Sequence, residues 1–279
     1  FVLPPTISFP SSDSRLKRIR WRPCSANLPT EKPTQNKMLN IFRKEINSFL
    51  DSLIGYAVVG VFLTAMGLLL WVFPETSVLD YGFADLETLF TLGPFVFIFL
   101  VPAVTMRSFA EERKLGTLEW MLTKPIAEGS IVMGKFLASV CLVIVSLLPT
   151  LIYYVSLSRL GNPPGNIDTS AVMGSYIGLI LLGGVFCAIG ILASALATNQ
   201  IVAFLAAALF CFLFYSGFES AAQLANDGSV ALSIRQWGIQ YHFESLSRGL
   251  IDSRDILYFV GLGGVLLLGA RTVLSSRSW

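Results

Sequence analysis

The stretch LIGYAVVGVFLTAMGLLLWVF (residues 53–73) carries no charged residue across 21 positions. A helix crossing the hydrocarbon core of a bilayer needs about 20 predominantly apolar residues, so this segment alone predicts a transmembrane span. Working outward, five further stretches meet or approach the same requirement: 89–106, 131–157, 172–197, 201–218 and 256–274. Pro94 and Pro102 should bend the second of these, and Pro149 falls near the far end of the third. The predicted fold is an all-α integral membrane protein of six transmembrane helices.

Composition agrees. Hydrophobic residues make up 54% of the chain and charged residues 14%, with a mean hydropathy of +0.67. Soluble domains carry roughly 25% charge, so a soluble globular fold is excluded. With 279 residues there is no room for a large additional soluble domain. Cys141, Cys187 and Cys211 fall in apolar stretches, and Cys24 lies outside them. No CxxC spacing occurs, and His242 is the single histidine, which rules out a multi-histidine metal site. Residues 1–37 begin with Phe1 and are rich in Pro, Ser and Arg, without the apolar region of a secretory signal. They are read as an upstream, non-native or disordered basic extension, with Met38 as the true start and 38–279 as the transmembrane domain. A basic arm on the membrane surface is the functional alternative.

Charge sets the orientation, because loops on the cytoplasmic side are enriched in Lys and Arg. Arg43, Lys44, Arg107, Arg113, Lys114, Lys124, Arg271 and Arg277 fall on one side of the six spans, and Arg159, Arg235, Arg248 and Arg254 on the other. Both termini are therefore expected in the cytoplasm. Lys135, just inside the third span, is expected to snorkel towards that face. Residues 198–200 form a tight turn between spans four and five. Residues 219–255 form the longest external segment, expected to hold short helices at the outer leaflet.

Before the first span, Leu39, Phe42, Ile46, Phe49 and Leu53 recur at spacings of three and four, with Arg43, Lys44, Glu45 and Asp51 off the stripe. This predicts an interfacial amphipathic helix; a straight extension of span one would give the same pattern with a different tilt. The pairs Gly174/Gly178 and Gly190/Ser194 have the small-xxx-small spacing that lets membrane helices approach closely. Packing within the chain is the default expectation, with a dimer seam as the alternative.

The most polar loop is RSFAEERKLGTLEWMLTKP (residues 107–125). Its charges offer charge-assisted contacts, and Leu118, Trp120, Met121 and Leu122 offer apolar anchors. Gly116 should break it into two short helices, and Pro125 should end the second. Such an elbow suits the docking of a soluble partner, against an ordinary solvated loop. The string closely resembles the cytoplasmic segment of ABC-2 type transporter permeases, R-x-x-A-E-E-R-x-x-G-T-x-E-x-L-x-T-x-P, with Met121 in the Leu position. The resemblance covers 38–279. It implies a type V exporter-like half-transporter in a bacterial inner membrane, pairing with a second permease copy or paralogue and with cytoplasmic ATPase subunits. An auxiliary membrane subunit is a further possible partner. ATP and magnesium would then belong to the ATPase, and this chain would carry no cofactor and no catalytic site of its own. By the match, Glu111, Glu112, Arg113, Gly116, Thr117 and Glu119 inherit the role of the coupling helix that contacts the ATPase.

The external stretch HFESLSRGLIDSRD (residues 242–255) is similar to that of the gliding-motility-associated permeases (GldF type), F-x-S-x-x-R-G-x-x-D-x-R-D. Arg248, Gly249, Asp252, Arg254 and Asp255 are the residues carried over. Physically, the four charged members can pair with one another and cap helix ends. This gives a structural latch, with a substrate-contacting gate as the other reading. Residues 129–136 nearly match a P-loop, but Phe136 stands where a magnesium-binding hydroxyl is needed. Nucleotide binding by this chain is therefore rejected. The spans look almost free of ionisable groups, which argues against an intramembrane hydrolase and an ion-coupled carrier. A non-transporting membrane anchor is the remaining alternative, and nothing points to nucleic acid.

Overall fold

A computed structural model describes residues 35–74, 76–78, 85–117, 127–161, 167–225, 227–249 and 252–276. Residues 1–34 of the basic extension and the second arm of the elbow, including Glu119, lie outside them. The described residues are helical and contain no strand. Five helices are individually long and apolar enough to cross a membrane, and a bent pair supplies a sixth candidate span.

That pair is α1 (Gln35–Leu50) and α2 (Leu53–Trp71). The two arms, Met38–Leu50 and Gly55–Trp71, meet at 68°. The amphipathic helix therefore runs across the line of the span rather than along it, which favours the interfacial reading over the straight extension. Its protein-facing side is Ile41 and Glu45, while Leu39 of the predicted stripe is exposed and Phe42, Ile46 and Phe49 are half-buried. The stripe is thus left for the headgroup boundary, and Glu45 turns inward instead of lying on a solvated face.

The second span is α3 (Glu87–Thr105), which holds Pro94 and Pro102 in its interior without breaking. One turn residue, Met106, separates it from α4 (Arg107–Lys114), and the two together form one apolar-to-polar helix of 28 residues. The first arm of the elbow is therefore a continuation of span two. Leu115 caps α4, and Gly116 takes φ +68°, the left-handed conformation that favours glycine at a helix end. The third span is α5 (Glu128–Leu147), a 3₁₀ turn at Leu148–Thr150 containing Pro149, and α6 (Leu151–Leu160).

Span four is α7 (Thr169–Leu196), capped by the Asp168 carboxylate, which accepts from the Ser170 and Ala171 amides. Asn199 then caps α8 (Gln200–Phe212) in the expected tight turn. A π-helical segment, Leu213–Gly217, joins α8 to α9 (Phe218–Gln223). The external segment holds α10 (Gly228–Gln236) and α11 (Ile239–Ser247), and the last span is α12 (Ser253–Ser275).

Helix α7 is the hub. It packs against α3, α4, α5, α8, α11 and α12, and 72% of its most apolar window is buried, against 22% for spans five and six. The small residues explain this. A Cβ on Gly190 would collide with Thr105 of α3, one on Gly174 with the Leu246 carbonyl, and one on Gly178 would press on the Phe243 ring. Both small-residue pairs are spent on packing within the chain, as the default reading expected. The outward faces of the other spans expose Tyr56, Val61, Phe99, Leu205 and Leu257, the surface that lipid covers.

Candidate functional site: the clamped elbow and the external latch

Lys135 lies on α5 about 10 Å from its start, and only 1% of its side chain is exposed. It does not snorkel out. Its ammonium reaches Glu45 Oε1 of α1 at 2.8 Å, Glu112 Oε1 of α4 at 3.0 Å and the Ser108 carbonyl at 2.7 Å. Two of its three donors are taken by hydrogen bonds to Glu45 and Ser108, and Glu112 completes the ring of acceptors as an ion-pair partner. Phe109 places its ring 5.1 Å away, and Lys44 approaches Glu112 Oε1 at 3.4 Å. Two lysines and two glutamates thus form a neutral cluster joining three helices. The expectation that Lys135 snorkels out to the membrane face is corrected here. The cluster escaped the sequence reading because Glu45 and Glu112 come from segments outside the predicted spans and meet Lys135 only through folding.

Two more contacts hold α4 from α7. At the break after Met106, the Ser194 hydroxyl accepts from the amides of Phe109 (3.0 Å) and Ala110 (3.1 Å) and donates to the Met106 carbonyl. Arg113 donates to the carbonyls of Ala195 (2.5 Å) and Ala197 (2.6 Å) at the C-terminal end of α7, where a cation is favoured by the helix dipole. The sequence marked Ser194 only as a small residue; its position opposite a helix break was not legible there.

The residues assigned to the elbow therefore divide. Glu112 and Arg113 face inward and fasten α4 to the bundle. Glu111 is partly exposed and approaches Arg107 at 3.9 Å. Thr117 is exposed and donates to the Glu112 carbonyl at 3.2 Å, and Gly116 turns the chain. Leu115, not singled out from sequence, is 67% exposed at the tip of α4. The outward surface of the described arm is thus Glu111, Lys114, Leu115, Gly116 and Thr117.

At the opposite end, the members of the external motif do not pair with one another among the described residues, which corrects that expectation. Asp252 caps α12 by accepting from the Arg254 amide. Asp255 is 6% exposed and meets His242 Nδ1 of α11 at 2.7 Å. His242 Nε2 faces the Gln236 carbonyl at 3.0 Å, and its ring stacks on Tyr258 at 4.0 Å. Gly249 takes φ +79°, and a Cβ there would lie 3.1 Å from the Ala171 amide of α7. The Ser175 hydroxyl adds a bond to the Ser247 carbonyl at 3.2 Å. Gly249 and Asp255 thus hold α11 to the starts of α7 and α12, while Asp252 only caps α12. Arg248 instead lines a cavity of about 410 Å³ with Asp85, Glu87, Asp168 and Glu244.

No curated protein matches the chain. The model of the ABC-2 family transporter proteins matches residues 39–246, from α1 to the end of α11, and the chain belongs to that family as a multi-pass membrane permease.

Proposed function

We propose that this permease couples ATP hydrolysis by a separate cytoplasmic ATPase subunit to export of a substrate, working with a second copy or a paralogue of itself. One observation carries the reading. Helix α4 is fastened to α1, α5 and α7 by Lys135, Ser194 and Arg113, while its tip at Leu115–Thr117 is exposed. A push on the tip reaches the bundle because the helix behind it continues span two and is braced on three sides. A solvated loop needs no such bracing. The external motif supports a narrower reading, a permease of the gliding-motility-associated type, in which Gly249 and Asp255 hold the latch and Asp252 caps the last span. Arg248, set in the external cavity, favours a contact with substrate for that one residue.

The test separates docking from folding. Glu112 belongs to the buried cluster, so Glu112→Arg would disturb the bundle itself. Leu115→Asp changes only the exposed tip. Together with Glu119→Arg, it is expected to abolish co-purification of the ATPase and transport, with membrane insertion and melting temperature unchanged. Full ATPase binding and transport by the double variant would overturn the coupling assignment.

A further inference from the structure

Helices α5 and α12 do not close against each other over the middle of α7. Between them lies an open apolar groove of about 650 Å³, lined among others by Val132, Phe136, Gly184, Gly263, Leu267 and Arg271. Its floor is made of glycine: a Cβ on Gly184, Gly263 or Gly264 would meet nothing within 4 Å. The lining residues of α12 run from Phe259 to Arg271, about 18 Å at 1.5 Å per residue. That is close to half of a hydrocarbon core about 30 Å thick, so the groove is about one leaflet long.

Among the described residues, Arg271 is the only charged one of the lining. It lies at the end of the groove where α5 begins, its stem beside Gly129. Its guanidinium makes no hydrogen bond or ion pair with the described residues, and Glu128, the neighbour of Gly129, does not pair with it. We propose that this groove holds an acyl chain of an anionic phospholipid from the leaflet on the elbow's side, with the lipid phosphate on Arg271.

Three considerations select this occupant. A void beside a membrane helix forfeits the dispersion contacts that hold such bundles together, and an acyl chain restores them without a specific partner. The length fits one leaflet. A helix from a second copy laid in the same groove would cover Arg271 with apolar surface and leave a buried cation unpaired, whereas a headgroup phosphate at the boundary neutralises it, as basic pockets between membrane helices do. The bound lipid would brace α5 against α12 just below the cluster around Lys135. The inference goes beyond the coupling proposal and does not depend on it.

The experiment is lipid titration of the delipidated, detergent-solubilised permease by native mass spectrometry, with dioleoyl phosphatidylglycerol and dioleoyl phosphatidylcholine as probes. The wild type should retain phosphatidylglycerol in preference. Arg271→Gln should weaken phosphatidylglycerol retention about fivefold and phosphatidylcholine retention less, because the choline ammonium offsets that lipid's phosphate charge. Gly184→Leu, which fills the groove, should reduce both. Equal retention of the two lipids, or no effect of Arg271→Gln, would reduce the groove to ordinary lipid-facing surface and overturn the proposal. So would a disulfide between two copies through Val260→Cys in native membranes, which would place a second copy there. Arg271 is exposed, so its variant keeps the test decisive if Gly184→Leu does not fold. No ATPase enters the readout, so failure here leaves the coupling reading untouched and the converse also holds.

Discussion

Lys135 makes sense only with its three acceptors in place. A buried ion pair brings little net stability over an apolar replacement of the whole group, but removing one partner leaves charge stranded and costs about 3–5 kcal/mol. Lys135→Met strands Glu45 and part of Glu112. It is expected to lower the melting temperature in detergent, and adding Glu45→Gln should recover part of the loss. Additive effects of the two substitutions would show that the pair is not energetically coupled. Gly190 is the apolar counterpart. Gly190→Ala drives a methyl group into the Thr105 hydroxyl and should cost about 1–3 kcal/mol through overpacking, read as reduced thermal stability. Gly60→Ala, where a Cβ meets nothing within 4 Å, should be close to neutral.

At the scale of elements, the break between α3 and α4 at Met106 is stabilised from outside. Pro102 supplies no amide, and the turn residue Met106 interrupts the helix before Phe109 and Ala110, so their amides look to Ser194. Ser194→Ala leaves both donors buried without that acceptor, at a cost of about 1–3 kcal/mol. It should also raise hydrogen exchange at Phe109 and Ala110 specifically, and unchanged exchange there would show that the hydroxyl does not hold the break. The spans were legible in sequence because a run of 20 apolar residues has few other fates, and the breaks at Gly116 and Asn199 follow from glycine and Asx chemistry. The α1–α2 turn was legible as a choice between two tilts, not as an angle. What could not be read was which surface each element turns to its neighbours. Glu45 sits off an apolar stripe whether it meets water or Lys135. Arg113 matches a docking motif whether it meets an ATPase or the carbonyls of α7. Small residues announce close approach, yet only the folded chain shows Gly174 meeting Leu246 and Gly190 meeting Thr105.

For the whole molecule, the folded arrangement keeps the cations on the sides that sequence order gives them. The end holding α4, the start of α5 and the end of α12 carries Arg43, Lys44, Arg107, Arg113, Lys114, Lys135 and Arg271, with Glu45, Asp51, Glu111, Glu112 and Glu128. The other end carries Arg159, Arg235, Arg248 and Arg254 together with Asp85, Glu87, Asp168, Glu219, Asp227, Glu244, Asp252 and Asp255. Since Lys and Arg bias short loops to the cytoplasm, the elbow end should face the cytoplasm and the α10–α11 end the opposite side. Ser229 and Ser276 are exposed at opposite ends and make suitable reporters. In intact cells, a membrane-impermeant maleimide should label Ser229→Cys above the background of the native thiols. It should reach Ser276→Cys only after the membrane is opened. The reverse pattern would put the tip of α4 on the side without ATP, and the coupling proposal would fall with the orientation.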